Sequence, residues 1–473
     1  MREAHDVAAV REAEAVILAR TAEGALMRRA AFGLAGVIVA ELSRRYGSTS
    51  GRHVVLLVGA GGNGGDALWA GSFLRRRGVA VTAILLSPDR AHPGGLAALR
   101  RAGGRVGGSA ALAEADLVVD GIVGLSARGG LRPDAAALVS AVRAPIVSVD
   151  LPSGVDPDTG VATETAVRAT ITVAFGACKP VHLLSPAHCG RVELVPLGLP
   201  LGESTLCAME APDVGARWPI PGPSDDKYTQ GVVGVAAGSA QYPGAAVLCT
   251  GAAVASTSGM VRYAGTGTDA VLARWPEVVA VDNIADAGRV QAWVIGPGLG
   301  TGDACVAALE HALATEVPVL IDADAITTLA QQPDLLDGRR GPLLLTPHAG
   351  EFARLTGQEP GSDRVTAVRA AAHRFDATVL LKGHTTVIAN PTGAVQVNTA
   401  VGAWAATAGS GDVLSGMLGA LLATGLDPLL AAAVGAHVHA LAAELAAAGA
   451  PTSASRLIEH LPQAIRDVRA ARP

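Results

Sequence analysis

The run His53-Val-Val-Leu-Leu-Val58-Gly59-Ala-Gly-Gly-Asn-Gly-Gly-Asp66 decides how the first half of this chain folds. An unbroken aliphatic row from Val54 to Val58 suits a strand covered on both faces, the habit of parallel rather than antiparallel sheets. The glycine-rich segment behind it turns the chain tightly, and a helical pattern continues to Arg77. Further apolar runs at 79–86, 117–120, 146–149 and 170–175 alternate with helical or polar stretches, and helical patterns at 6–19 and 23–45 come first. This alternation predicts a doubly wound, three-layer α/β domain.

Working outward, Pro and Gly concentrate between Pro212 and Pro223, where no periodic pattern crosses. A linker over 211–224 is expected there, between one domain at 1–210 and another at 225–473. The second domain is α/β again. Its strands are expected at 231–237, 292–295, 317–321, 343–345, 378–381 and 385–389. Its helices are expected at 244–258, 303–314, 362–374, 411–423, 428–448 and 453–470. No internal repeat relates the halves, so each needs its own site.

Half of the residues are hydrophobic but only 3% are aromatic, so Ala, Val and Leu must build the cores. A net charge of −5 without a basic tract argues against nucleic acid as a partner. Five Cys, an odd count without a C-x-x-C pair, read as reduced thiols rather than disulfides or zinc ligands. The start Met1-Arg-Glu-Ala-His-Asp6 has no apolar signal core. The apolar stretch 429–450 carries His437, His439 and Glu444, which reads as a buried helix rather than a membrane span. A cytoplasmic location is expected. Of 37 Lys and Arg only Lys179, Lys227 and Lys382 are Lys, so each stands out against a strong bias toward Arg.

The loop 59–66 lacks the G-x-G-x-x-G spacing with a ribose-binding acid further on, so ordinary NAD binding is not indicated. It does offer backbone N–H groups to a phosphate and two polar side chains, Asn63 and Asp66. Val118-Val-Asp120-Gly-Ile-Val-Gly124 and Val147-Ser-Val-Asp150-Leu-Pro-Ser153-Gly154 each end a strand with an acid, at the sheet edge where ligands bind. The Asn63 amide, the Asp120 carboxylate and the Ser153 hydroxyl make an oxygen set suited to a hard cation. Asp150 is then left over as an acid/base.

Gly-Gly-Asn63-Gly-Gly-Asp66, Val-Asp120-Gly-Ile-Val-Gly124, Ser-Val-Asp150-Leu-Pro-Ser153-Gly-Val-Asp156 and Phe175-Gly-Ala-Cys-Lys179-Pro180 together resemble the NAD(P)HX epimerase family over residues 5–210. The resemblance implies a Rossmann-like fold. It also implies that the hydrated nucleotide is held by Gly62, Asn63, Gly64, Gly65 and Asp66, with Gly124, Leu125, Ser126, Ala127, Arg128, Gly129 and Gly130. By the same resemblance Asn63, Asp120 and Ser153 ligate potassium, and Asp150 binds substrate and catalyses. The family usually has Asn where this chain has Gly62, which removes one substrate hydrogen bond but leaves the cation site. Lys179 is placed like the family's Lys; alone it reads as a solvent-exposed residue before a Pro turn.

In the second half, Ala408-Gly-Ser-Gly-Asp412-Val-Leu-Ser-Gly416 opens a helix with small residues, where N–H groups and the helix dipole favour an anion. A carboxylate there suits a base acting on a hydroxyl about to meet phosphate, although an Asp helix cap reads the same way. Ile295-Gly-Pro-Gly298-Leu-Gly300, Ile321-Asp322-Ala-Asp324, Thr346-Pro-His348-Ala-Gly-Glu351 and Leu381-Lys382-Gly-His-Thr-Thr386 each close a strand with polar groups. With Lys227-Tyr-Thr-Gln-Gly231 and Ala237 to Ala246, they resemble the ADP/ATP-dependent NAD(P)H-hydrate dehydratase family, a ribokinase-like fold, over 227–470.

That resemblance assigns Lys382, Gly383, His384, Thr385, Thr386 and Gly411 to ADP or ATP. It assigns Ala246, Gly298 or Gly300, His348 and Asp412 to the hydrated nicotinamide. Asp322 and Asp324 either help hold Mg²⁺ through water or cap the next helix. His437 and His439 fall on different faces of one helix and, with Met417 and Trp404, are expected to be structural.

The implied chemistry is repair of NADHX and NADPHX, which carry water added across a ring double bond at carbon 6. Asp412 would take the hydroxyl proton as that oxygen attacks the terminal phosphate, and the first domain would interconvert R and S epimers. ADP rather than ATP is favoured by the likeness to bacterial two-domain forms, and a homo-oligomer is expected. The competing reading is a ribokinase-like small-molecule kinase with a non-catalytic N-terminal nucleotide-binding module.

Overall fold

The aliphatic row forms the strand His53–Val58, and its residues alternate between two cores. Val54, Leu56 and Val58 pack with the helices Ala25–Tyr46 and Gly62–Arg76, while Val55 and Leu57 join Val118, Ile146 and Val167 on the opposite face. A strand buried on both faces needs such an aliphatic run. The computed structural model describes residues 1–125, 129–256, 259–400 and 402–472, and the chain changes unit between Leu206 and Cys207.

Strands β1 (Arg2–Ala4) and β9 (Leu206–Ala208) lie where the chain passes between units. The N-terminal unit contains β2 (His53–Val58), β3 (Ala80–Leu85), β4 (Arg105–Val106), β5 (Leu117–Gly121), β6 (Ile146–Val149), β7 (Ile171–Phe175) and β8 (Arg191–Val195). Their order is β4-β3-β2-β5-β6-β7-β8, and every pairing is parallel. The strand order reverses between β2 and β5. The glycine loop after β2 and Asp120 on β5 therefore flank the crevice where such sheets bind ligands.

The C-terminal unit contains β10 (Val232–Ala236), β11 (Met260–Ala264), β12 (Val279–Val281), β13 (Ala292–Ile295), β14 (Val319–Ile321), β15 (Leu343–Leu345), β16 (Thr378–Leu381), β17 (Thr385–Ala389) and β18 (Val395–Thr399). They run β18-β17-β16-β15-β14-β13-β10-β11-β12, parallel from β16 through β12 and antiparallel across β16, β17 and β18. Here the order reverses between β10 and β13, and the loops after these two strands meet through Gly238 N–H on the Pro297 carbonyl at 2.7 Å. One face packs against the helices Pro243–Ser256, Ser410–Ala423, Pro428–Ala447 and Ala454–Ala470. Pro428–Ala447 is long and apolar enough to cross a membrane, but its Ala431–Ala436 stretch lies in this core.

Two expectations need correction. The segment 211–224 is not wholly a linker: Ala211–Arg217 is a helix opened by Pro212 and a Glu210–Asp213 capping box, with Val214 and Trp218 in the core. Proline in a first helical turn resembles a loop signal in sequence. Strands β4, β8, β11, β12 and β18 add to those expected. In β8, Arg191 and Glu193 interrupt the apolar pattern.

Candidate active sites

Each unit places a carboxylate cluster beside the N-terminus of a glycine-led helix. In the N-terminal unit that helix is Gly62–Arg76, with no side-chain cap. The glycines permit close approach: a Cβ on Gly59 would lie 1.7 Å from the Ile122 carbonyl oxygen, which only Gly accommodates. Gly62 differs, because a Cβ there meets nothing within 4 Å. Replacing the family's Asn by Gly62 thus removes a side chain from open space and leaves the scaffold intact.

Asn63 anchors the helix start, its amide N–H groups donating to the carbonyls of Val123 at 3.0 Å and Val149 at 2.6 Å. Its Oδ1 faces Gly124, where a Cβ would come within 2.7 Å. Asp120 is buried and accepts from Ser148 Oγ (2.8 Å), Ser153 N–H (2.9 Å), Ser153 Oγ (2.6 Å) and Ile122 N–H (3.3 Å). Burial pushes its pKa up while these donors pull it down, and the net direction is upward. The three expected oxygen ligands, Asn63, Asp120 and Ser153, thus lie together at the switch point.

Asp150 sits in the left-handed region at φ 65°, in a three-residue turn closed by Leu151 N–H on the Val149 carbonyl at 2.8 Å. Its Oδ1 accepts from Phe175 N–H at 2.9 Å and from Lys179 Nζ at 2.5 Å. Lys179 is therefore not an exposed pre-proline residue: it is fully buried, and Asp150 is its ionic partner. A buried ammonium must be paired, so the sequence position misleads here. His182, which sequence reasoning missed, accepts Lys179 N–H on Nδ1 at 2.9 Å. Its Nε2 therefore carries the hydrogen and donates to the Asp150 carbonyl at 2.7 Å. The only local signal was its position three residues after Lys179, in a capping box.

Asp66 is also buried, and its Oδ1 has no hydrogen-bond partner among the described residues. Burial, then Asp150 and Glu14, hold its pKa well above the usual carboxylate range. Glu14 was likewise not foreseen; burial raises its pKa, with Lys179 opposing and Asp150 adding to the rise. Of the expected segment Gly124–Gly130, residues Ser126, Ala127 and Arg128 lie outside the described residues.

In the C-terminal unit the helix Ser410–Ala423 starts at Gly409, which is left-handed at φ 82° and gives no side-chain cap. Ser410 N–H is engaged by the Thr407 carbonyl at 3.2 Å, while the N–H groups of Gly411 and Asp412 find no acceptor among the described residues. Asp412 therefore stands beside open donors at a helix N-terminus. Burial first, then Asp322, push its pKa to about 7, with Lys382 opposing. Lys382 Nζ is paired with Asp322 Oδ1 at 2.7 Å and lies 3.7 Å from Glu351 Oε2. Burial disfavours its charge, but Asp322, Glu351 and Asp412 outweigh that and raise its pKa. Ser415 Oγ donates to the other Asp322 oxygen at 2.6 Å.

Neither Asp322 nor Asp324 caps the following helix: Asp324 Oδ2 instead accepts Gly300 N–H at 2.8 Å and fixes the Gly298–Gly300 loop. His348 is exposed, its Nε2 lies 3.2 Å from Glu351 Oε1, and it caps its helix through Nδ1, which accepts from Gly350 N–H at 3.0 Å and Glu351 N–H at 3.2 Å. Ala246 is fully buried, beneath Gly238, where an added Cβ would lie 2.6 Å from Ala246 Cβ. It shapes the site floor rather than presenting a polar group.

The turn Lys382–Thr386 is braced by Arg364, which no sequence motif marks and whose guanidinium donates to the carbonyl of Thr385 at 2.6 Å. Gly383 and His384 are exposed on that turn. His439 is more than core filling. Its Nε2 donates to the Ser410 carbonyl at 3.0 Å beneath the anion loop, and burial lowers its pKa to about 4, so it is neutral. Met417 is fully buried and Trp404 packs against the same core, as expected.

Two carboxylate clusters on two sheets, one all parallel and one mixed, with one cluster at a ribokinase-type anion loop, define a two-site nucleotide enzyme. Residues 233–463 match the family model described as NAD(P)H-hydrate dehydratase, and residues 23–181 match that of the YjeF-related protein N-terminus. A bifunctional NAD(P)H-hydrate repair enzyme of Mycobacterium leprae is 58% identical, the match covering 98% of this chain and 99% of the relative. That of Mycobacterium tuberculosis is 60% identical at the same coverage. The solved ADP/ATP-dependent NAD(P)H-hydrate dehydratase of Bacillus subtilis, co-crystallised with ATP and Mg²⁺, is 29% identical. It matches at a TM-score of 0.51 over 55% of this chain and 98% of that one. This chain belongs to the family of bifunctional NAD(P)H-hydrate repair enzymes.

Proposed function

We propose that the chain restores NADH and NADPH from NADHX and NADPHX, epimerising R and S forms at the N-terminal site and dehydrating the S form at the C-terminal site with ADP, giving AMP and phosphate. The observation that carries this is Asp412: a half-buried carboxyl with a pKa near 7, beside amides with no acceptor among the described residues at a helix N-terminus. A base of that pKa can take a hydroxyl proton near neutral pH. Asp412 accepts the proton of the ring hydroxyl as its oxygen attacks the terminal phosphate of ADP. The Gly411 and Asp412 N–H groups face the charge on the transferring phosphoryl group. The ring nitrogen lone pair then expels phosphate, and loss of the carbon 5 proton restores the dihydronicotinamide.

The adenine nucleotide is assigned to Lys382, Gly383, His384, Thr385, Thr386 and Gly411, and the hydrated ring to Ala246, Gly298 or Gly300, His348 and Asp412. Four carboxylates, Asp322, Asp324, Glu351 and Asp412, act on this centre against the single ammonium of Lys382, so a divalent cation fits its charge. Among the described residues no group of three or more His, Cys, Asp or Glu could ligate a metal directly. Mg²⁺ would thus be held through phosphate and water, with Asp322 and Asp324 as the carboxylates that would help hold it through water, and would neutralise phosphate charge. At the other site, the buried Asp120 has no cationic partner among the described residues, and Asn63 and Ser153 add neutral oxygens, a donor set that fits potassium. Potassium would fix the loop that presents the substrate. The enzyme is assigned to the cytoplasm as a homo-oligomer.

The test supplies purified protein with S-NADHX and either ADP or ATP and follows NADH absorbance. The account predicts consumption of S-NADHX, faster with ADP. No consumption with either nucleotide contradicts it and returns the chain to the kinase reading.

A further inference from the structure

Resting on the epimerase reading, we propose that Asp66 is the proton-donating carboxyl of the N-terminal site, working with Asp150 as the proton acceptor. Three placements support this division. Asn63 and Asp66 are three residues apart on the helix Gly62–Arg76 and so share a face. Asn63 donates to the carbonyl of Val149 at 2.6 Å, which binds that face to the strand end carrying Asp150. Asp66 is 7% exposed, and its Oδ1 has no partner among the described residues.

The surroundings separate the two carboxyls. Asp150 has a buried ammonium at 2.5 Å and a backbone N–H at 2.9 Å on the same oxygen. Among the described residues no cation pairs with Asp66; the charges acting on it are Asp150 and Glu14, both acidic. Of the groups on neighbouring elements, His92 is engaged through Nδ1 by Gly95 N–H at 3.0 Å, and Arg28 lies over the Trp69 ring. His182 donates to the Asp150 carbonyl. A buried carboxyl with no partner on Oδ1 among the described residues, and with acids acting on it, holds its proton and is fitted to donate it.

The chemistry requires both. Carbon 6 of NAD(P)HX bears a hydroxyl and the ring nitrogen, so it is a hemiaminal. Asp150 takes the hydroxyl proton and the O–H electron pair forms the C=O bond. The carbon 6–nitrogen bond breaks with its pair to nitrogen, which takes the proton of Asp66. Rotation about the carbon 5–carbon 6 bond presents the other face of the aldehyde. Closure reverses the transfers: nitrogen attacks carbon, Asp66 recovers its proton and Asp150 returns one to oxygen. No oxidant, reductant or metal step is needed.

The experiment uses the full chain without ADP or ATP, so that dehydration is idle, and resolves R- and S-NADHX chromatographically across pH. In the wild type, equilibration should fall at high pH as Asp66 loses its proton. Asp66→Asn should lower kcat by roughly 10²–10⁴ with KM changed less than about threefold, and abolish that alkaline limb. Asp66→Glu should restore part of the rate with the limb displaced. An Asp66→Asn enzyme that keeps its kcat and alkaline limb overturns the proposal. So does one that loses rate only through KM, or one in which Asp66→Glu leaves the limb unmoved. If the wild type does not equilibrate the epimers at all, the epimerase reading fails instead.

Discussion

The two sites use the same parts in opposite ways. Of only three lysines in the chain, two lie in these clusters, each paired to an aspartate. In the N-terminal unit Lys179 pairs with the candidate catalytic residue itself, Asp150. In the C-terminal unit Lys382 pairs with a neighbour, Asp322, and leaves Asp412 with a pKa near 7. The ammonium thus goes to the candidate catalytic carboxylate in one site and to its neighbour in the other. A lysine adjacent to a catalytic acid in sequence or space therefore says little until its partner is known.

The largest expected effect is loss of Asp412. Asp412→Asn should lower NADH formation from S-NADHX by roughly 10²–10⁴ while R/S equilibration stays at the wild-type rate. Loss of both activities would break the separation of the sites. Next is Lys179→Met, which leaves a buried carboxylate unpaired and should destabilise the N-terminal unit by about 3–5 kcal/mol. Hydrogen exchange at Ile146–Val149 reads this out, and wild-type protection there would make the pair dispensable.

Asp412 also carries a stability prediction. Its pKa is raised in the folded state, from 3.8 to about 7, so folding favours its neutral form. That stability is complete below the unfolded pKa and is lost as pH rises through about 7. Asp412→Asn should therefore match wild type near pH 4 and exceed it near pH 8 by an amount on the order of 4 kcal/mol. Equal thermal midpoints at both pH values would place the carboxyl in a more polar setting. The smallest effect is Gly62→Asn, where open space accepts a side chain. One recovered hydrogen bond of about 1 kcal/mol should lower KM for R-NADHX by up to about fivefold, and an unchanged KM would dismiss that contact.

Much of the fold could be read because parallel strands demand aliphatic runs, as at Val54–Val58 and Val232–Ala236. The edge strand β8 was hidden by its charges, and the helix Ala211–Arg217 by a proline that starts it. For the sites, the gathering of Asn63, Asp120, Ser153 and Asp150 at one sheet edge was legible because strand ends and glycine turns mark that edge. Glu14, His182, Arg364 and His439 were not, since each acts through partners fixed only by tertiary packing. Arg364 reaches Thr385 from a separate helix, and His439 meets Ser410 from another.

The most direct test of two independent sites is complementation in a mixture. Asp150→Asn and Asp412→Asn proteins are each given R-NADHX with ADP, alone and then together, and NADH is followed. The account predicts that neither variant alone forms NADH from the R epimer beyond its spontaneous rate of epimerisation, while the mixture recovers it through free S-NADHX. A mixture no faster than the better single variant would contradict it.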